Sequence, residues 1–285
     1  MEIRIVDMDS KMPNIALMKI SQYHKNNGDN VEYYNPIIDN QERIDKLYIA
    51  KLFNFTPDYD YNHPTAEIIK GGTGFDIKSK LPKEIDEITE LDYSMYPQHE
   101  FSMQFYSRGC IRNCPFCVVR QKEGYIKSVE PMRLNPKGKH IEILDNNFFA
   151  NPDWKQASED ILRIGQPVSF HGIDARIMTE ENAYYLNKFK HTKQIHIAWD
   201  NPKDNLEPKL REITKWIKPY KLMAYVLIGY WSTPEEDLYR VEKLRELKID
   251  PFVMPFNKSD PYQKKFARWA NMKAIFKTVK WEDYH

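Results

Sequence analysis

Ser107-Arg108-Gly109-Cys110-Ile111-Arg112-Asn113-Cys114-Pro115-Phe116-Cys117 holds every cysteine of the 285-residue chain. The C-x3-C-x2-C spacing puts three thiols on one short segment. Gly109, Asn113 and Pro115 mark that segment as a loop and not a core helix. Thiols clustered on a loop point to a metal. Full ligation of a four-iron cluster takes four cysteines, so three leave one iron open to a small molecule, which is the plan of a reactive site. A structural zinc ion takes four protein ligands, and His99 or His140 is at hand for the fourth. The cluster is the preferred reading, with zinc as its alternative. An odd number of cysteines cannot all be paired in disulfides, which suits a reducing, cytoplasmic compartment.

Outward from this loop the pattern is regular. Apolar runs at Phe101–Ser107, Ile141–Asp145, Val168–His171, Gln194–Trp199, Leu222–Gly229 and Pro251–Pro255 read as strands. Helix-like stretches follow them at 114–123, 153–164, 179–189, 205–217, 234–247 and 262–276. Thr179 before Glu180 and Glu181 is a helix start, and so is Thr233-Pro234-Glu235-Glu236. Six alternations predict an α/β fold with a parallel sheet, short of the eight units of a closed barrel. Sites in such sheets lie at the C-terminal strand ends. Ahead of this region, residues 1–97 predict a small α/β unit. Its strands fall at Ile3–Val6, Val31–Tyr34, Leu47–Phe53 and Ala66–Ile69, its helix runs up to Gly28, and a charged linker covers 76–97. Residues 98–285 form the second domain.

The C-x3-C-x-aromatic-C pattern, with Phe116 before Cys117, resembles the signature of the radical S-adenosylmethionine (SAM) superfamily. Ser107-Arg108-Gly109 resembles its methylthiotransferase and cobalamin-dependent branch. The resemblance implies a partial (β/α)6 radical SAM barrel preceded by a small Rossmann-like domain. It implies a [4Fe-4S] cluster on Cys110, Cys114 and Cys117, with the amino and carboxylate groups of SAM on the open iron. Reductive cleavage of SAM would give a 5′-deoxyadenosyl radical that takes hydrogen from a substrate, with an electron donor such as flavodoxin or ferredoxin as partner. By the same resemblance Asp145 or Asn146 meets the SAM amino group, with an Asx turn and helix entry before Asn151-Pro152 as the plain alternative, and Phe116 and Gly229 flank adenine. Two further roles are read from position. Arg176 is a candidate partner of the SAM carboxylate, with an ion pair to Asp174 as the plain alternative. Asp200 is a candidate for the ribose hydroxyls, or a helix-entry acid. His171, Met254 and Phe256 are candidate substrate contacts with packing as the alternative.

The N-terminal unit loosely resembles a cobalamin-binding domain through the helix 13–28 and Gly71-Gly72. No histidine stands in Asp7-Met8-Asp9-Ser10-Lys11-Met12, so a degenerate scaffold is expected over a working cobalamin site. With no further cysteine, a second cluster and full methylthiotransferase chemistry are not expected. At the other end Lys264, Lys265, Arg268, Lys273, Lys277 and Lys280 alternate with Phe266, Trp269, Phe276 and Trp281. This reads as an amphipathic closing helix, or else as a patch for nucleic acid. Lys plus Arg number 42 and Asp plus Glu 41, so no global field recruits nucleic acid or an anionic membrane. No apolar run is long enough for a transmembrane helix, and the first residues are too charged for a signal peptide. Peptide, nucleoside and small-molecule substrates stay open. A non-catalytic zinc or iron–sulfur scaffold and a nucleic-acid-binding protein are the competing readings.

Overall fold

Leu47, Tyr48, Ile49 and Ala50 are consecutive in sequence and all buried, so the strand that carries them is covered on both faces. This strand belongs to the first of two units in a computed structural model that describes all 285 residues. The first unit comprises residues 1–105, 112–125 and 130–139, and the second residues 106–111, 126–129 and 140–285.

In the first unit β1 (Glu2–Asp7), β2 (Asn30–Tyr33), β3 (Lys46–Ala50) and β4 (Glu67–Gly71) run parallel in the order β2-β1-β3-β4. Helix Ile15–Asn26 starts at Asn14, whose side chain accepts from the Ala16 and Leu17 amides. Ile3, Ile5, Tyr48 and Ala50 pack with Leu17, Ile20 and Ile85 on one side. Val6, Leu47 and Ile49 pack with Tyr34, Ile68 and Phe75 on the other. Parallel sheets need cover on both faces, and each large aliphatic side chain so buried contributes about 1.5–3 kcal/mol.

Residues 76–97, expected as a linker, fold into this unit. Ile85 joins its core, and Asp92 accepts hydrogen bonds from Ser21 (2.6 Å) and Lys25 (2.7 Å). Charge content hid the two apolar anchors, Ile85 and Leu91, that fix the stretch. Strand β5 (Ser102–Gln104) also lies in the first unit.

In the second unit β6 (Ser107–Arg108) and β7 (Lys127–Ser128) form a short antiparallel pair. Then β8 (Ile141–Ile143) pairs in parallel with β9 (Val168–Phe170). β10 (Ile195–Ala198), β11 (Leu222–Ile228) and β12 (Asp250–Pro255) form a parallel set in that order. One parallel bridge, Asp174 to Ala198, links the region after β9 to β10. Helices Trp154–Ile164, Glu180–Lys188, Glu207–Trp216 and Pro234–Glu246 alternate with these strands, and Pro261–Asn271 and Lys273–Thr278 follow. Thr179 and Thr233 both form the reciprocal capping box of a well-made helix start. The fold is therefore α/β with parallel sheets.

Three expected elements differ. The run Phe101–Ser107 is interrupted at Phe105-Tyr106, between β5 and β6. Of the expected helix 114–123 only Val119–Glu123 is helical, because Pro115 and the cysteine spacing keep the loop irregular. The closing helix 262–276 breaks at Met272, since the Asn271 side chain binds the Val253 amide (2.7 Å) and carbonyl (3.0 Å) of β12. Phe266 and Trp269 are fully buried, and Lys273 (2.7 Å) and Lys277 (3.5 Å) pair with Asp250, so the closing segment is a packed amphipathic one. No helix is long and apolar enough to cross a membrane.

Candidate functional site

The cysteine loop leaves β6 through Gly109, whose φ of +86° only glycine adopts at low cost. The Cys117 amide donates to the Cys114 carbonyl (2.9 Å), which closes a turn around Pro115-Phe116. Cys110 and Cys114 are half-buried, Cys117 is exposed, and none is in a disulfide. Phe116 is half-buried beside them. The donor set suits an iron–sulfur cluster: three soft sulfur ligands on one loop and no fourth cysteine. No group of three or more His, Cys, Asp or Glu stands arranged to hold a metal ion. Neither histidine weighed for zinc completes such a group. His140 is bonded to Glu142 (3.1 Å), and His99 packs edge-on against Phe101.

Asp145, just past the end of β8, is fully buried. It accepts from the Tyr106 amide (2.8 Å) and from the Ser107 hydroxyl, three residues before Cys110. Burial pushes its carboxyl up to about 6, against the pull of those donors. Asn151 completes the clamp: its amide donates to the Tyr106 carbonyl (3.1 Å) and its oxygen accepts from Ser128 (2.7 Å). Asp145, expected at the SAM amino group, thus holds the chain that leads into the cysteine loop. Asn151 was missed because its partners lie 23 and 45 residues away. Asn146 is half-buried. Asn147 is 1% exposed and neither atom of its amide finds a partner. A buried amide without partners is hydrogen-bonding capacity left open at this strand end.

Arg176 follows β9 on a single helical turn, Ala175–Ile177. Its Nε donates to Asp174 (2.7 Å) and its Nη1 to Asp204 (3.1 Å), so the plainer expectation, an ion pair with Asp174, is formed. Asp200, after β10, has one carboxylate oxygen buried without a partner, and burial raises its pKa. Beside it the fully buried Arg240 donates to the carbonyls of Trp199 (2.9 Å) and Asp200 (3.1 Å) and pairs with Asp237 (2.7 Å). Arg240 was not singled out from sequence. Its only signal is the Asp237–Arg240 spacing on one helix face.

Gly229 ends β11 with φ +76°, and a Cβ there would meet the Gln263 side chain at 2.1 Å. This glycine makes room for Gln263, where an approach to adenine was expected. Gly72 is a parallel case: with φ +99°, its added Cβ would sit 2.3 Å from the Lys51 carbonyl. Its likeness to a cobalamin glycine is therefore met by packing. At the same strand ends Asp9 accepts from the Leu52 (2.8 Å) and Phe53 (2.9 Å) amides and from Thr56 (2.6 Å), tying the loop after β1 to the loop after β3.

The structure places His171 directly after β9, on the same strand face as Glu142 of β8. Met254 of β12 is half-buried and Phe256 exposed. No family model matches this chain, and no curated protein matches it.

Proposed function

We propose that this chain is a radical SAM enzyme, with Cys110, Cys114 and Cys117 as ligands of a [4Fe-4S] cluster. The single observation that carries the reading is the loop itself. It holds all three cysteines of the chain at C-x3-C-x2-C spacing, with none in a disulfide, on a turn entered through a left-handed glycine. The α/β character of the second unit, with parallel strands in a β/α alternation, agrees with the partial barrel that such enzymes use. When bound, a cluster with one open iron supplies an electron that splits the S–C5′ bond of SAM and yields a 5′-deoxyadenosyl radical.

The chain's own residues have defined tasks in this reading. Asp145 and Asn151 are positioning residues that fix Tyr106-Ser107 and so aim the start of the cysteine loop. Asn146 and the open amide of Asn147 offer hydrogen bonds to a polar cofactor group at the end of β8. Arg176, held by two carboxylates, serves as a fixed cation at the end of β9. A reduced flavodoxin or ferredoxin would deliver the electron.

Anaerobic reconstitution with iron and sulfide tests the proposal. A brown protein with about four irons and four sulfides per chain is expected. Dithionite plus SAM should then release 5′-deoxyadenosine, and Cys→Ala at position 110, 114 or 117 should abolish it. A colourless protein with one tightly held zinc, or a full cluster with no deoxyadenosine, would overturn it.

A further inference from the structure

On β11 the residues alternate without exception between buried and half-buried, from Leu222 to Ile228. Registers extend this to β10 and β12: Ile195, Ile197, Ala224, Val226 and Val253 are all buried on one face, and His196, Tyr225 and Phe252 stand on the other. In the separate β8–β9 pair Ile141, Ile143, Val168 and Phe170 are buried on one face, and Glu142 and Ser169 stand on the other with His171 at its upper edge. A parallel sheet is normally apolar on both faces. Polar and aromatic groups on this one ask for a partner.

Glu142 is the hub. Burial alone would push its carboxyl up, but the His171 hydrogen bond and the Lys193 charge hold it at about 2, so it is ionised at any ordinary pH. Its Oε2 accepts from His171 Nε2 (2.6 Å) and its Oε1 from His140 Nε2 (3.1 Å). An ionised carboxylate can only accept, so both imidazoles carry a proton on Nε2. This leaves Nδ1 of His171, whose side chain is 36% exposed, as an acceptor with no proton to offer. Lys193 stands 3.9 Å from Glu142 and is 45% exposed, at the outer limit of an ion pair.

Across the face, His196 is held at about 4 by burial and by the Lys193 charge, so it is neutral. Its Nδ1 is 3.1 Å from the Tyr225 hydroxyl. Burial raises the Tyr225 pKa, so the phenol keeps its proton and donates it to Nδ1, which puts the His196 proton on Nε2. Tyr225 meets Phe252 edge to face at 5.5 Å, and Phe252 is 41% exposed. Hydrogen-bond donors outnumber the single, already bonded carboxylate, and aromatic rings lie next to them. No metal-holding group is formed by these residues.

We propose that this face binds a small aromatic anion, a ring bearing a phosphate or carboxylate, with the anionic group at Lys193 and the Nε2–H of His196 and the ring against Tyr225 and Phe252. An oxyanion takes two or three N–H donors well, and an edge of aromatic rings takes a planar group. The inference deepens the proposed function by naming the class of its substrate. It rests on that reading only for the word substrate, because the binding itself needs no cluster.

The test is calorimetric titration of the full chain, without iron, with three probes: phenyl phosphate, benzoate and inorganic phosphate. Phenyl phosphate or benzoate should bind with Kd below about 1 mM, and the preferred one at least tenfold tighter than inorganic phosphate. Which of the two binds identifies phosphate or carboxylate as the anionic group. K193Q and H196A should each weaken binding fivefold or more, F252L should remove most of the advantage of the ring, and K188A, at the end of the helix Glu180–Lys188, should change nothing. Near-ultraviolet circular dichroism identifies any variant that has lost its fold, and K193Q, an exposed substitution, keeps the proposal testable if H196A does not fold. No binding of either aromatic probe at about 10 mM, or binding indifferent to K193Q and F252L, would overturn the inference. Ligand binding without deoxyadenosine production would leave this site standing and sink the enzyme reading. Deoxyadenosine production without ligand binding would do the reverse.

Discussion

The two units use their parallel sheets differently. In the first, successive residues of the central strands β1 and β3 are buried alternately to one side and the other, so the middle of the sheet is taken up by packing, while the outer strand β2 is mostly exposed. In the second, β11 buries every other residue, and the remaining face keeps a carboxylate, three imidazoles nearby, a lysine and aromatic rings. A sheet covered on both sides is a scaffold, while one with a polar, half-open face is a place for chemistry. The same α/β grammar thus yields a support in one unit and a candidate site in the other.

Single substitutions can break this contrast, and the largest effect is expected from Arg240. It is fully buried and joined to Asp237, Trp199 and Asp200, so R240A should cost about 3–5 kcal/mol in urea denaturation by leaving Asp237 a buried, unpaired charge. A second unit that unfolds no more easily without Arg240 would mean that its packed side is looser than described.

Neighbouring residues sharpen the comparison further. On β3, Leu47→Ala and Tyr48→Ala should both be severe, about 2–5 kcal/mol each, because each faces a core. On β11, Val226→Ala should cost clearly more than Leu227→Ala, because only Val226 is packed. Equal losses on β11 would erase the difference between the two sheets.

Asp145 gives a pH-dependent effect of order 1–3 kcal/mol. Its folded pKa of about 6 lies above the usual 3.8, so between these values the folded state holds a proton that the unfolded state has lost. Its contribution therefore favours folding at low pH and declines as pH rises from about 4 to 6. D145N should flatten that part of the stability profile, and should also loosen the hold on Tyr106 and Ser107. An effect of the same order is expected at His196, held at about 4 against 6.5. Its depressed pKa means a contribution present above pH 6.5 and lost as pH falls towards 4, which H196Q should remove from the acid limb.

The strands were legible because apolar runs of four to eight residues stand between helix starts as clear as Thr179 and Thr233. The thiol loop was legible because no cysteine lies anywhere else. The tasks of Asp145, Arg240 and Gly229 were not, because each is defined by a partner far along the chain: Tyr106, Trp199 and Gln263. Glu142 carried no signal in a short apolar strand, and its importance arises only when register puts β9 and His171 beside it. The broken closing helix was hidden for the same reason, since the side chain of Asn271, the last residue of its helix, serves Val253 of β12.

That last departure has a bearing on how the protein behaves in a crowded solution. β12 ends the set β10-β11-β12, and a bare outer strand offers its amides and carbonyls to any extended chain that drifts past. By occupying both groups of Val253, the Asn271 carboxamide acts as a short stopper, a counterfeit strand one residue long. Removing it, as in N271A, would leave both groups of Val253 open to such a chain.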